Sequence, residues 1–263
     1  MARFRSIAVA TAVAAALFVP LYFLFAALGT KFGVIPWQTG LGVLVIGWAP
    51  TVLFTALGLA VVACVLAFLA KPPAGRVASL FALAVPVAAL LFAGSIQSGA
   101  RDVPPIHDIS TDLADRPVFS DEAIAARGSG ANPLDQTTMA ASPFTPPDMV
   151  GRPIADLQKS AYPDLAPLVV AAAPAQAFDA AQAAMQAEGL TVVNADAAAG
   201  IVEGVAETFW FGFKDDVVIR VRPGAQGSLV DFRSVSRVGL SDLGANAKRI
   251  RRLQAAVKAK LPA

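Results

Sequence analysis

The first 97 residues contain no Asp or Glu, and three apolar runs, 6–28, 41–70 and 77–95, fill most of that length. About 20 apolar residues at ~1.5 Å rise each cross a hydrocarbon layer of ~30 Å. Every run is therefore long enough to span a bilayer, and hydrocarbon leaves the backbone no partner outside a helix. The composition agrees: 56% hydrophobic and 15% charged residues, with mean hydropathy +0.61, lie outside the usual soluble range.

The first span, 6–28, follows Arg3 and Arg5. Its apolar length exceeds the ~7–15 residues of a signal-peptide core, so it is read as an uncleaved anchor. In the second run Trp48-Ala49-Pro50 interrupts the pattern, which sets the span at 48–70 and puts Trp37 and Trp48 at one interface. A Lys71–Arg76 turn leads to the third span, 77–97. Arg3, Arg5, Lys71 and Arg76 mark the N-terminus and second loop as cytoplasmic, against Lys31 alone in the first loop. Three crossings then put the remainder on the far side. In a Gram-negative cell this is an inner-membrane protein with a periplasmic C-terminal domain. No span holds an ionisable residue in its middle, which argues against an ion or proton path. Alanines four apart, Ala56 with Ala60, Ala78 with Ala82 and Ala84 with Ala88, permit close helix contacts but also arise by chance in Ala-rich sequence.

Five of the 21 basic residues and none of the 19 acidic ones lie in the first 97, so the rest of the chain is net acidic. That charge pattern does not fit a nucleic-acid footprint. The single cysteine, Cys64, sits in an apolar run and offers neither a disulfide framework nor a metal site. No cofactor motif is present.

Residues 99–163 are rich in Pro, including Pro104, Pro105, Pro117 and Pro133, and read as an extended connector with a short helix at 121–127. A compact domain is expected over 164–263. It begins with a strand at 168–170, then a helix from Pro174 carrying Phe178, Ala181 and Met185 at helical spacing and ended by Gly189. Strands follow at 190–194 and 200–208. In the next stretch Val217, Ile219 and Val221 alternate with Val218, Arg220 and Arg222, and Val230 and Phe232 alternate with Asp231 and Arg233. This period of two marks two half-buried strands. Setting Arg222 opposite Leu229 pairs Ile219 with Phe232 and Val221 with Val230 on the core side, and Arg220 with Asp231 on the other. The connection Pro223–Ser228 reads as longer than a two-residue turn. A helix over 242–260 closes the domain, with Ile250, Leu253 and Val257 on one face. The whole is a membrane-anchored α+β protein: three transmembrane helices and a small β-α-β-β-β-β-α domain, mainly antiparallel, with two helices on one sheet face.

FWFGFKDDVVIRVR from Phe209 and DFRSVSRVGLSDLGANAKRI from Asp231, with PPIHDISTD at Pro104 and YPDLAPL at Tyr162, resemble a bacterial and plastid family called domain of unknown function 1499. The resemblance covers roughly 104–261, and it implies no activity, because the family has none assigned.

Two candidate sites compete with plainer readings. The loop from Ser234 to Asp242 joins hydroxyls and an arginine to a helix start, where free N–H groups favour anions. Ser236, Arg237, Ser241, Asp242 and Asn246 are the expected ligand-binding residues, for a phosphate or carboxylate. Against this, Asp242 or Ser241 can cap the helix, and Arg237 can be a strut to Asp242 or Asp216. His107, beside Asp108, Ser110 and Asp112, is the only imidazole. With the Arg237–Asp242 loop it is the one place for hydrolase-like chemistry, provided the fold brings the two together. Arg220, Arg222, Arg233 and Arg237 share a strand face with Asp216, Asp231 and either Glu203 or Glu207, expected as cross-strand ion pairs on a solvated surface. Phe209, Trp210, Phe211 and Phe213 are expected mainly in the core, with one or two partly exposed. The reading as a whole is a non-catalytic binding or envelope accessory module, with an enzyme as the alternative; its expected partners are the lipid bilayer and an anionic ligand or envelope protein.

Overall fold

The computed structural model describes residues 1–101, 103–142 and 145–261. They divide into two units, 1–99 with 209–212, and 100–208 with 213–263.

The first unit carries three helices long and apolar enough to cross a membrane. Helix α1 spans Ala2–Lys31, and α3 spans Arg76–Arg101. Between them a π-helical stretch, Gln38–Trp48, runs without a break into α2, Ala49–Leu69. The second helix thus begins ten residues before the expected Trp48. Pro50 accounts for the change of pitch rather than a break: it supplies no N–H to Ile46 and its ring crowds that carbonyl. Apolar side chains face outward on all three helices, among them Phe18, Phe54 and Leu91, as lipid-facing surfaces require. Alanines make the inward contacts. Ala12 and Ala16 of α1 cluster with Ala60 and Ala63 of α2, letting these two backbones approach closely, and Ala82 of α3 joins the cluster. Ala56 is buried in the same way, whereas Ala84 and Ala88 face out.

The second unit is built on a sheet in the order β1-β6-β5-β4-β3, with β2 also on β6. Its strands are β1 (Asp108–Ser110), β2 (Leu168–Val170), β3 (Thr191–Asp196), β4 (Ile201–Glu207), β5 (Lys214–Gly224) and β6 (Gly227–Ser236). All pairings are antiparallel. The β5–β6 register is the one expected, Arg222 opposite Leu229 and Ile219 opposite Phe232. The turn is tighter than expected. Gly224 pairs with Gly227, leaving only Ala225 and Gln226 between the strands. Gly227 takes φ +121°, and a Cβ there would lie 2.4 Å from the Val170 carbonyl oxygen, so only glycine fits.

Helices α6 (Pro174–Ala187) and α7 (Ala245–Lys260) cover one face. Phe178 and Met185 of α6, with Ile250, Leu253 and Val257 of α7, bury against Val217, Ile219 and Phe232. Each of these large side chains contributes about 1.5–3 kcal/mol on leaving water. The helical spacing of the apolar residues thus selects the face that is buried.

The Pro-rich segment is not a connector. Its strand β1 extends the same edge of β6 that β2 occupies, and Ile106 and Ile109 belong to the main core. Helix α5 (Ile154–Ala161) adds Ile154 and Leu157 to that core. Gln158 replaces a missing strand partner: its side chain accepts from Ser110 N at 3.0 Å and donates to Ser110 O at 2.6 Å. Helix α4 (Asp121–Arg127), capped by Ser120, covers the opposite sheet face, where Phe119 and Ala123 pack on Val218 and Val235. Prolines deny most of the segment a backbone ladder, so a reading by periodicity sees only irregular chain. Side chains hold it in place instead.

Candidate functional site

Strand β6 continues through Ser236, so consecutive residues there point to opposite sheet faces. That parity separates the residues expected to share a pocket. Ser236 faces α7, whereas Arg237 faces α4.

On the α7 side, Asn246 is fully buried at the centre of a polar cluster. Its amide nitrogen donates to the His107 carbonyl at 3.0 Å and to Ser236 Oγ at 3.0 Å. Its oxygen accepts from Ser234 Oγ at 2.6 Å and from Arg249. Arg249 also donates to Ser234 Oγ and ion-pairs Asp215 at 2.6 Å. Arg249 is therefore a buried strut.

At the start of α7, Asp242 accepts from Gly244 N at 2.7 Å and Asn246 N at 2.9 Å. Ser241 Oγ accepts from Leu243 N. These amides, which the anion reading requires free, thus have carboxylate and hydroxyl partners already. Burial pushes the Asp242 carboxyl above the usual Asp range, against the pull of its two backbone donors. Leu243 holds φ +53°, rare for a branched side chain, and Leu240 and Leu243 are exposed.

On the α4 side, Arg237 grips Asp216. Its Nε lies 3.1 and 3.0 Å from the two carboxylate oxygens, and Nη2 lies 2.7 Å from Oδ1. Arg127 binds the same carboxylate through Nη1, and Arg237 Nη1 donates to the Ala126 carbonyl. A cavity of about 40 Å³ lies beside them, between Phe119, Val193, Glu203 and Arg237, enough for water. Arg237 is the strut to Asp216.

The same face holds the ion-pair lattice expected from strand parity. Arg233 and Arg116 share Asp108, while Arg220 and Arg222 share Asp231, Asp112 and Asp115. It is not a solvated surface, however. Asp231, Glu203, Asp216 and Arg233 are buried beneath the 111–135 segment. Phe119 lies against both Arg127 and Arg233, its ring centroid 6.0 and 5.5 Å from their guanidinium carbons. Sequence reading missed Asp108, Arg116 and Arg127 as members. They lie in the Pro-rich segment: Asp108 and Arg127 pair with Arg233 and Asp216, 125 and 89 residues away, and Arg116 reaches Asp108 and the Leu134 carbonyl, 8 and 18 residues away.

His107 does meet the loop. Its Nδ1 sits 3.4 Å from the Leu240 carbonyl, and Asp242 N donates to the Ile106 carbonyl. Burial holds its pKa below the ordinary histidine value, partly offset by the Leu240 bond and Asp108. The imidazole is neutral at pH 7. Nearby Tyr162 is buried, with no partner for its hydroxyl among the described residues, and burial together with Asp242 pushes its pKa up to about 12. Among the described residues no three His, Cys, Asp or Glu side chains converge as a metal-ligand set. The aromatic cluster is not core: Phe209 and Trp210 are exposed and Phe211 and Phe213 half-buried in the 208–213 loop.

No curated protein matches the chain. The model of the family described as "Protein of unknown function (DUF1499)" matches residues 108–257, more than half of the chain and nearly the whole sheet unit, including β1 and the buried ion-pair lattice. The resemblance expected from FWFGFKDDVVIRVR and its neighbours is thereby met: the chain is a member of the DUF1499 family whose N-terminal part carries three apolar helices.

Proposed function

We propose that this protein is an envelope accessory module. Its sheet domain binds a partner without catalysis, and its three helices hold that domain at a bacterial inner membrane. The N-terminus is cytoplasmic and the domain periplasmic, a reading supported by the basic flanks Arg3, Arg5, Lys71 and Arg76. One observation carries the binding reading. The 237–244 loop spends its polar side chains internally, on Asp216, Gly244 and Asn246, and turns Leu240 and Leu243 outward. Exposed apolar groups on a rigid loop with a backbone outlier suit contact with a partner surface. A photo-crosslinking amino acid at Leu243 should give a discrete adduct in intact cells, and the same group at exposed Val193 should not. Adducts of equal yield at both positions, or none at Leu243, would refute a binding loop.

A second reading, an enzyme of hydrolase type, rests on the approach of His107 to this loop and on its neutral imidazole, the form that acts as a base. It predicts that His107→Asn abolishes the cellular function at unchanged protein level. The binding reading predicts that Leu240→Asp with Leu243→Asp does so.

A further inference from the structure

We propose that the first unit carries a binding site for one anionic glycerophospholipid, in the groove between α1 and the turn that starts α3. The groove has a volume of about 510 Å³. Val9, Val13 and Leu17 of α1 form its apolar wall, and Gly75 and Ala78 form the other side. From Arg5 to Leu17 the wall runs roughly 18 Å at ~1.5 Å per residue, the reach of an extended acyl chain rather than of a compact solute.

The groove is a built feature. Arg5, buried, reaches across from α1 and donates to the Ala70 and Pro72 carbonyls, fixing the α2–α3 turn over its end. Gly75 holds φ +79°, and a Cβ there would meet Val9 Cγ2 at 3.2 Å, so a small residue keeps turn and helix in register. Below this closure the small residues Ala10, Ala14, Ala74 and Ala78 leave the walls apart.

The charge at the closed end selects the headgroup. Arg3 lies one turn before Ser6 and two before Ala10, on the stripe of α1 that lines the groove. Lys71 and Arg76 flank the turn that Arg5 holds. With no Asp or Glu in the first 97 residues, nothing in that part of the sequence neutralises these cations. Arg5 is already satisfied by carbonyls and acts as a positioning residue. Arg3, Lys71 and Arg76 are the groups for a phosphodiester that carries no compensating amine. Each basic residue near a lipid phosphate contributes about 1 kcal/mol, roughly fivefold in affinity.

The test is native mass spectrometry of the full-length chain, extracted in micelles with equimolar dioleoyl phosphatidylglycerol and dioleoyl phosphatidylcholine. One phosphatidylglycerol should be retained per chain, about fivefold or more over phosphatidylcholine. Ala14→Phe, which fills the groove, should remove the retained lipid, whereas Val62→Phe, adding the same bulk on an exposed face of α2, should not. Arg3→Gln with Arg76→Gln should bring the preference between the two lipids close to one, and keeps the test decisive if Ala14→Phe fails to fold. Equal retention of both lipids by the unaltered chain, retention unaffected by Ala14→Phe in a folded protein, or a preference that survives the double Arg variant would each overturn the site.

Discussion

Asp215 and Asp216 are neighbours in sequence, yet their ion pairs lie on opposite faces of the sheet: Asp215 holds Arg249 of α7 at 2.6 Å, and Asp216 holds Arg237 at 2.7 Å together with Arg127 of α4. The period of two in β5 joins both helical layers to one strand through adjacent carboxylates.

Removing the shared carboxylate should cost more than removing either of its arginines. Asp216→Asn leaves Arg127 and Arg237 facing a neutral group, and a broken buried pair costs about 3–5 kcal/mol. Arg237→Ala leaves Asp216 still paired with Arg127, so the loss should be about 1–3 kcal/mol, as for a charge-assisted hydrogen bond. Tm values for the two variants should follow that order. An unchanged Tm for Arg237→Ala, with a change in anion binding, would instead favour a ligand role for Arg237.

Asn246→Leu should be among the most damaging single changes in α7. It removes the acceptor of the buried Ser234 hydroxyl and the donor to Ser236 Oγ, while the His107 carbonyl keeps Ser236 N and Ser234 Oγ keeps Arg249. Each unsatisfied group costs about 1–3 kcal/mol, and chemical denaturation should show a loss near the sum of two.

Gly200→Ala tests the β3–β4 turn. Gly200 holds φ +69°, and an added Cβ would lie 2.2 Å from the Val221 carbonyl oxygen, with no flexible side chain to yield. A loss of about 2 kcal/mol or more is expected from overpacking and strain together, visible as a lowered Tm.

Stability should fall on the acid side of neutrality through His107. Its folded-state pKa lies below the unfolded value of about 6.5, so as pH falls through that value the unfolded chain takes up a proton that the folded chain refuses. The contribution is complete above this window and is lost between the unfolded pKa and the lower folded one. The slope can reach at most about 1.4 kcal/mol per pH unit for one proton. The raised pKa of Asp242 acts in the opposite sense, stabilising at low pH and fading as pH rises through its folded value. The difference between the unaltered chain and His107→Asn isolates the histidine: denaturant midpoints from pH 7.5 to 5 should fall less steeply for the variant. Parallel curves would mean an imidazole as solvated as in the unfolded chain.

How legible the chain was depends on whether a side chain's partner lies close in sequence. Strong periodicities were read correctly: the apolar runs of α1 and α3, the alternation that fixes Ile219 opposite Phe232, and the helical spacing of Phe178, Ala181 and Met185. The segment from 104 to 163 was not, because it is held by side chains such as Gln158 and Asn132 bonding to distant backbone, a pattern with no period. Read as one loop, 234–242 puts Ser236 and Arg237 side by side, but Ser236 still belongs to β6 and Arg237, on the other parity, turns toward Asp216. The capping role of Asp242 was visible as an alternative, since an Asp just before a helix start is a cap in most contexts.

The proposed orientation sets the sheet domain across the bilayer from the N-terminus. A reporter active only in the periplasm, fused after Ala263, should give full signal, and the same reporter at Ala74, in the turn between α2 and α3, should give none. Signal at Ala74 with silence at Ala263 would contradict the orientation taken from Arg3, Arg5, Lys71 and Arg76, and signal at both would contradict the three crossings themselves.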